Sequence, residues 1–187
     1  MAEKVCPAWL GYFLASPIRK LIHPPQTILT AYVKEGMTVL DIGCGMGFFS
    51  IPLARMVGAR GKVICVDMQE KMLKELEKRA RRAGISTRIE TRLCYQHTIG
   101  LQNLAEKIDF VLAFAVVHEV PDPARFFAEL SATIVPNGRV LLAEPKGHAS
   151  EKEFTGTLST ARRHGFTVME SPRILLSRSV LLKKEKC

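Results

Sequence analysis

The chain lacks several features, and each shortage removes a class of answer. Its 187 residues hold five cysteines, at positions 6, 44, 65, 94 and 187, with no C-x-x-C pair. An odd, scattered set argues against a disulfide framework or a zinc module and points to a reducing compartment, by default the cytoplasm. No uninterrupted apolar run approaches the ~20 residues of a membrane-spanning helix. The opening MAEKVCPAWLGYFLASP is a poor secretory signal, with one Lys, an early acid and an apolar patch broken by Gly11 and Pro17. Repeats, low-complexity blocks and Ser/Gly linkers are missing. Acids are in deficit, 18 against 27 Lys plus Arg, giving a formal charge of +9. What remains, 47% hydrophobic and 24% charged residues, fits one packed domain.

A basic surface favours RNA, anionic lipid or an acidic substrate. The excess sits at Lys71, Lys74, Lys78, Arg79, Arg81, Arg82 and Arg88, at Arg162 and Arg163, and at Lys183, Lys184 and Lys186. Glu70, Glu75 and Glu77 are interleaved with the first cluster, which reads as a solvated helix face with i,i+4 pairing. The last cluster reads as a soluble tail. No aromatic residues are interspersed to stack bases.

Along the chain, short apolar runs alternate with longer helix-period segments. Thr38–Ile42, Val63–Val66, Arg88–Leu93, Ile108–Phe114 and Arg139–Ala143 read as strands. Phe49–Val57, Lys71–Ala83, Pro123–Ile134 and Glu151–His164 read as helices, with turn signals between them at Gly36, Gly58–Gly61, Gly84, Pro121–Pro123, Pro136–Gly138 and Gly165. The strands look continuously apolar, as in a parallel sheet covered on both faces. Two further strands, Phe166–Met169 and Ser179–Lys183, could close a hairpin, and short helices at Ala8–Leu21 and His23–Val33 precede the first strand. Repeated β-α-β spacing predicts an open α/β sheet, whose ligands bind at the carboxyl ends of its strands.

One such end carries the clearest motif. Val39-Leu40-Asp41-Ile42-Gly43-Cys44-Gly45-Met46-Gly47-Phe48-Phe49-Ser50 runs from a buried strand through three alternating glycines into a helix. Glycines let the backbone approach a ligand closely, and a helix N-terminus favours an anionic group. The dinucleotide pattern G-x-G-x-x-G would need a third glycine at position 48, which is Phe48. G-x-x-x-x-G-K-[ST] is absent, so a nucleotide-hydrolase loop is excluded. Asp67 ends the next apolar run, twenty residues after Gly47. A carboxylate there can accept hydrogen bonds from both ribose hydroxyls of an adenosine, with Met68 placed to pack on adenine.

Asp41-Ile42-Gly43-Cys44-Gly45-Met46-Gly47 with Val66-Asp67 resembles the class I S-adenosylmethionine-dependent methyltransferases, particularly those acting on small molecules. The resemblance runs over roughly Thr38–Pro145. It implies a Rossmann-like α/β fold: a seven-stranded, mostly parallel sheet, helices on both faces and a C-terminal antiparallel hairpin. It also implies residues 1–35 as a helical lid and 36–187 as the transferase domain. In that family Gly43, Cys44, Gly45 and Gly47 surround the methionine portion of S-adenosyl-L-methionine, Asp41 orders the loop, Asp67 holds the ribose, and Ala113 and Phe114 line the sulfonium side. Tyr95 and Gln96 follow the third strand and flank adenine, where many relatives carry an acid. His23 lies in the lid, with Trp9, Tyr12, Phe13 and Tyr32 as apolar cover.

Transfer from a sulfonium is an in-line substitution in which orientation does most of the work, and an acceptor carrying a proton also needs a base. His118 follows the fourth strand and has a suitable natural pKa range; alternatively it braces the Pro121–Pro123 turn. Glu119 adjoins it. Glu144 either lines the acceptor pocket or caps its strand end in water. The cysteines read as structural, and no Asp pair after the fourth strand indicates a metal. The expected partner is a small-molecule methyl acceptor, with no membrane and with the chain as monomer or homodimer. Two alternatives stand beside this reading. One is a tRNA or rRNA methyltransferase, although the fourth strand lacks the [DNS]-P-P-[YFW] motif of many base-amine enzymes. The other is a catalytically silent S-adenosylmethionine-binding protein.

Overall fold

The computed structural model describes residues 21–95 and 97–185. All but the last residue of the expected helix Ala8–Leu21 lies outside them, as do Cys6, Trp9, Tyr12, Phe13, Gln96, Lys186 and Cys187. The elements are α1 (Pro25–Leu29), β1 (Thr38–Ile42), α2 (Ser50–Met56), β2 (Lys62–Asp67), α3 (Glu70–Arg82), β3 (Ile89–Leu93), β4 (Ile108–Phe114), α4 (Pro123–Thr133), β5 (Ile134–Pro145), α5 (Glu151–Arg163), β6 (Phe166–Glu170) and β7 (Ser177–Lys184). The strands form a seven-stranded sheet in the order β3-β2-β1-β4-β5-β7-β6. The pairs β1–β2, β2–β3 and β4–β5 are parallel, and β5–β7 and β6–β7 are antiparallel. This is the expected fold class. The chain divides into two compact units, residues 1–93 and 94–187.

In the first unit, β1-α2-β2 and β2-α3-β3 are successive parallel crossovers. Val39, Leu40, Val63, Ile64, Cys65 and Val66 are buried in the central strands, with Leu53 of α2 and Leu76 of α3 fully buried against them. The α3 helix forms because Met72, Leu73, Leu76 and Ala80 recur at helical spacing and are all buried. Lys74 pairs with Glu70 at 2.9 Å, and Lys78 and Arg81 lie near Glu75 and Glu77 on the solvent side. One expectation fails here: β3 is not continuously apolar. Its sequence IETRL is only half-buried, because the strand closes one edge of the sheet. Glu90 pairs there with Lys62 and Arg92. Charges on an edge strand discourage pairing with another chain.

In the second unit, β4 and the stretch of β5 from Val140 to Ala143 are mostly apolar and buried, and Phe110, Phe127, Leu130 and Phe166 build the core around them. The rings of Phe127 and Phe166 pack edge to face at 5.9 Å. Asp122 caps α4 by accepting the Arg125 N–H at 3.1 Å. Ser150 and Glu153 form a reciprocal capping box on α5. The turn signal Pro136–Gly138 falls inside β5, where the register against β4 slips between Ile108 and Phe110 and Asn137 takes φ +65°. The tail reading of Lys183 and Lys184 fails, since both belong to β7. Lys184 is buried and donates to the Ile134 carbonyl at 2.8 Å. Among the described residues no helix is long and apolar enough to cross a membrane.

Candidate active site

The parallel register places Ile42 opposite Val66, so the glycine loop leaves β1 beside the tip of β2. The N–H groups of Gly43 and Cys44 both donate to the Val66 carbonyl, at 2.9 and 3.1 Å. Asp67 then ties the loop down: Oδ2 accepts the Gly45 N–H at 2.9 Å and Oδ1 accepts the Gln69 N–H at 2.9 Å. Burial raises the Asp67 pKa, and the amides of Gln69, Gly45 and Met68 partly oppose that rise. A carboxylate offers about four acceptor positions, so hydroxyl donors can still be taken. Met68 beside it is half-buried.

The loop has a packed side and an open side. A Cβ on Gly45, at φ +52°, would meet nothing within 4 Å among the described residues. A Cβ on Gly47, at φ +84°, would come within 2.3 Å of Leu76 Cδ1 on α3. Gly47→Ala is therefore expected to destabilise the protein by about 1–3 kcal/mol, through backbone strain and crowding of Leu76. Urea denaturation checks this, and an unchanged midpoint contradicts the packing described. Asp41 is 2% exposed and accepts the Ser50 hydroxyl at 2.5 Å, which joins the end of β1 to the first residue of α2. The sequence reading did not single out this serine, though its place at the helix start was a usable signal. Arg79, read as part of a solvated face, instead donates to the Met46 carbonyl at 2.6 Å. The signal was present: Arg79 lies three residues after Leu76, on the buried stripe of α3. Cys44 and Cys65 are buried free thiols, and the neighbouring Cys65 thiol together with burial pushes the Cys44 pKa up.

His23 is half-buried just ahead of α1, and Leu29 and Tyr32 are buried. Tyr95 is 66% exposed, in a turn closed by reciprocal backbone bonds with Thr98 at 3.1 and 3.0 Å. Ala113 and Phe114 end β4 and are buried.

The second unit holds a carboxylate–imidazole pair. Glu144 is 2% exposed; its Oε1 accepts the Val117 N–H at 2.8 Å and the Val116 N–H at 3.3 Å, and its Oε2 pairs with His118 Nδ1. At 2% exposure Glu144 is not a cap in water. A carboxylate accepts, so Nδ1 carries a proton and Nε2 is left as the basic atom. The hydrogen bond that His118 donates to Glu144 raises the His118 pKa, against burial, which lowers it. Glu119 Oε1 lies 3.9 Å from Nε2. The His148 ring, absent from the sequence reading, lies 5.4 Å from that of His118. Among the described residues no group of three or more His, Cys, Asp or Glu is placed to hold a metal ion.

The profile of a family described as "Methyltransferase domain" matches residues 33–172. A mitochondrial ubiquinone biosynthesis O-methyltransferase of Arabidopsis thaliana is 39% identical over 137 residues, 73% of this chain and 40% of that protein. A demethylmenaquinone methyltransferase of Bacillus velezensis is 29% identical over 119 residues, 64% of this chain and 50% of that protein. The chain spans half or less of these relatives. A crystal structure described as a SAM-dependent methyltransferase from Aquifex aeolicus superposes with a TM-score of 0.84 at 25% identity, covering 96% of this chain and 99% of that one.

Proposed function

The chain belongs to the methyltransferase-domain family, and from that premise we propose that it transfers a methyl group from S-adenosylmethionine to a small, partly apolar acceptor that carries a hydroxyl group. The observation that carries this reading is the Gly45–Asp67 bond. It sets a glycine-rich stretch of backbone, open at Gly45 among the described residues, beside a carboxylate with acceptor capacity to spare, which suits a nucleoside with vicinal hydroxyls and no pyrophosphate. When bound, S-adenosylmethionine supplies an activated methyl group: the S–CH₃ bond breaks, the acceptor–CH₃ bond forms, and a neutral thioether leaves.

The protein's own work is binding, orientation and proton transfer. Asp67 takes the ribose hydroxyls. Gly43, Cys44, Gly45 and Gly47 follow the methionine portion, with Asp41 and Ser50 fixing the loop. Met68, Tyr95 and Gln96 flank adenine, and Ala113 and Phe114 serve the sulfonium side. Nε2 of His118 removes the acceptor's proton, while Glu144 holds the ring and stabilises the imidazolium that forms. His23, Glu119 and Glu144 border the acceptor. We take residues 1–35 as cover for the transferase domain at 36–187; in the described part of that segment α1 packs on α2. The free thiols suit a reducing cytoplasm.

An apolar part of the acceptor has a surface to rest on. Leu175 and Leu176 are 62% and 60% exposed, and their turn is tied to the end of β5 by the Lys146 N–H on the Leu176 carbonyl at 3.0 Å. Glu144 lies two residues before Lys146. The name of the Arabidopsis thaliana relative, an O-methyltransferase of ubiquinone biosynthesis, makes hydroxylated aromatic compounds the first acceptors to try. Incubation with methyl-labelled S-adenosylmethionine, a panel of hydroxylated aromatics with and without alkyl tails, and bulk RNA tests the reading. Label is expected in a tailed aromatic. Label in RNA alone, or cofactor binding without turnover on any acceptor, contradicts it.

A further inference from the structure

The glycine loop is gripped from behind by α3. The Met46–Gly47 peptide is held at both polar ends: its N–H donates to the Cys44 carbonyl at 3.0 Å, and its C=O accepts the Arg79 guanidinium at 2.6 Å. Gly47, on its C-terminal side, has φ +84°, a region open to glycine at little cost. That freedom at Gly47 would ease rotation of the peptide unless something fixes its carbonyl. Leu76, one turn before Arg79, closes the same side of the loop against Gly47. Among the described residues the side at Gly45 is open, and it is the one left for a ligand.

We propose that Arg79 is a positioning residue for the cofactor: by holding the Met46 carbonyl toward α3, it keeps the loop amides and the open face at Gly45 in the arrangement that S-adenosylmethionine or its product requires. The inference rests on the cofactor reading above and goes beyond it, since Arg79 acts from behind the loop through the Met46–Gly47 peptide. Its bond is charge-assisted and partly buried, the kind whose loss is felt most.

The test measures S-adenosylhomocysteine binding by calorimetry for wild type, Arg79→Met, Arg79→Lys and Arg82→Met, with unfolding midpoints taken without ligand. Arg82 is exposed on the same helix, so its variant removes equal charge without touching the loop. Arg79→Met is expected to weaken binding by about tenfold or more. Arg79→Lys should recover part of the loss, and Arg82→Met should stay within about twofold of wild type, as surface changes do. Unchanged affinity in Arg79→Met overturns the proposal, as does an equal loss in Arg82→Met. A fall in unfolding midpoint with no change in affinity also overturns it, because that is a purely structural role. Should Arg79→Met not fold, Arg79→Lys against Arg82→Met decides in the same way. Failure of the wild type to bind S-adenosylhomocysteine defeats the cofactor reading itself and is distinct from each of these outcomes.

Discussion

Asp67→Ala is expected to weaken S-adenosylhomocysteine binding by about 1.5–3 kcal/mol for each charge-assisted bond to the ribose that is lost, roughly ten- to a hundredfold per bond. The local structure makes the upper end of that range the natural expectation. Asp67 also accepts the N–H groups of Gly45 and Gln69, so its removal leaves two part-buried donors without their partner and loosens the loop that must meet the ligand. Asp67→Asn should fall between, because an amide oxygen can keep one of those bonds while its NH₂ cannot accept a hydroxyl proton. Equal affinity in wild type and Asp67→Ala would refute the ribose role.

The second large effect lies in the other unit. With a hydroxyl acceptor, His118→Ala is expected to lower kcat by about 10²–10⁴, the usual contribution of general base catalysis. The base must be neutral to accept a proton, so rate should rise with pH through the His118 pKa. Glu144 raises that pKa, which puts the midpoint of the rising limb above the ordinary ~6.5 of histidine. Glu144→Gln removes the charge and should move the limb to lower pH. It should also slow the reaction, because a glutamine NH₂ facing Nδ1 favours the tautomer with its proton on Nε2. The variant still offers an oxygen to the amides of Val116 and Val117. Unchanged turnover in His118→Ala would assign the pair a structural role, and an unmoved pH limb in Glu144→Gln would separate the two residues.

Much of this was legible in the chain because it is local. The glycine spacing and the acid ending the next strand lie within one β-α-β unit, and the boundaries of α3 follow from its apolar period to within a residue. Features that depend on distant partners were harder to read. The pairing of His118 with Glu144 spans 26 residues and becomes visible only when the ends of β4 and β5 are built. Lys184 looks like tail until β7 pairs with β5 and brings it to the Ile134 carbonyl. The start of β5 was missed because Pro136–Gly138 does turn the backbone, but inside a strand that resumes its register at Arg139. Arg79 was read by its charge, although its place beside Leu76 on the buried stripe of α3 marked it for a different role.

The central claim is that the backbone of the glycine loop, with Asp67 beside it, is shaped for S-adenosylmethionine, and a crystal structure with S-adenosylhomocysteine tests it most directly. Both ribose hydroxyls are expected on the Asp67 carboxylate, with the amino-acid end of the ligand along Gly43–Gly47. A ligand bound away from Asp67, or a pyrophosphate-bearing nucleotide preferred at the loop, would contradict it.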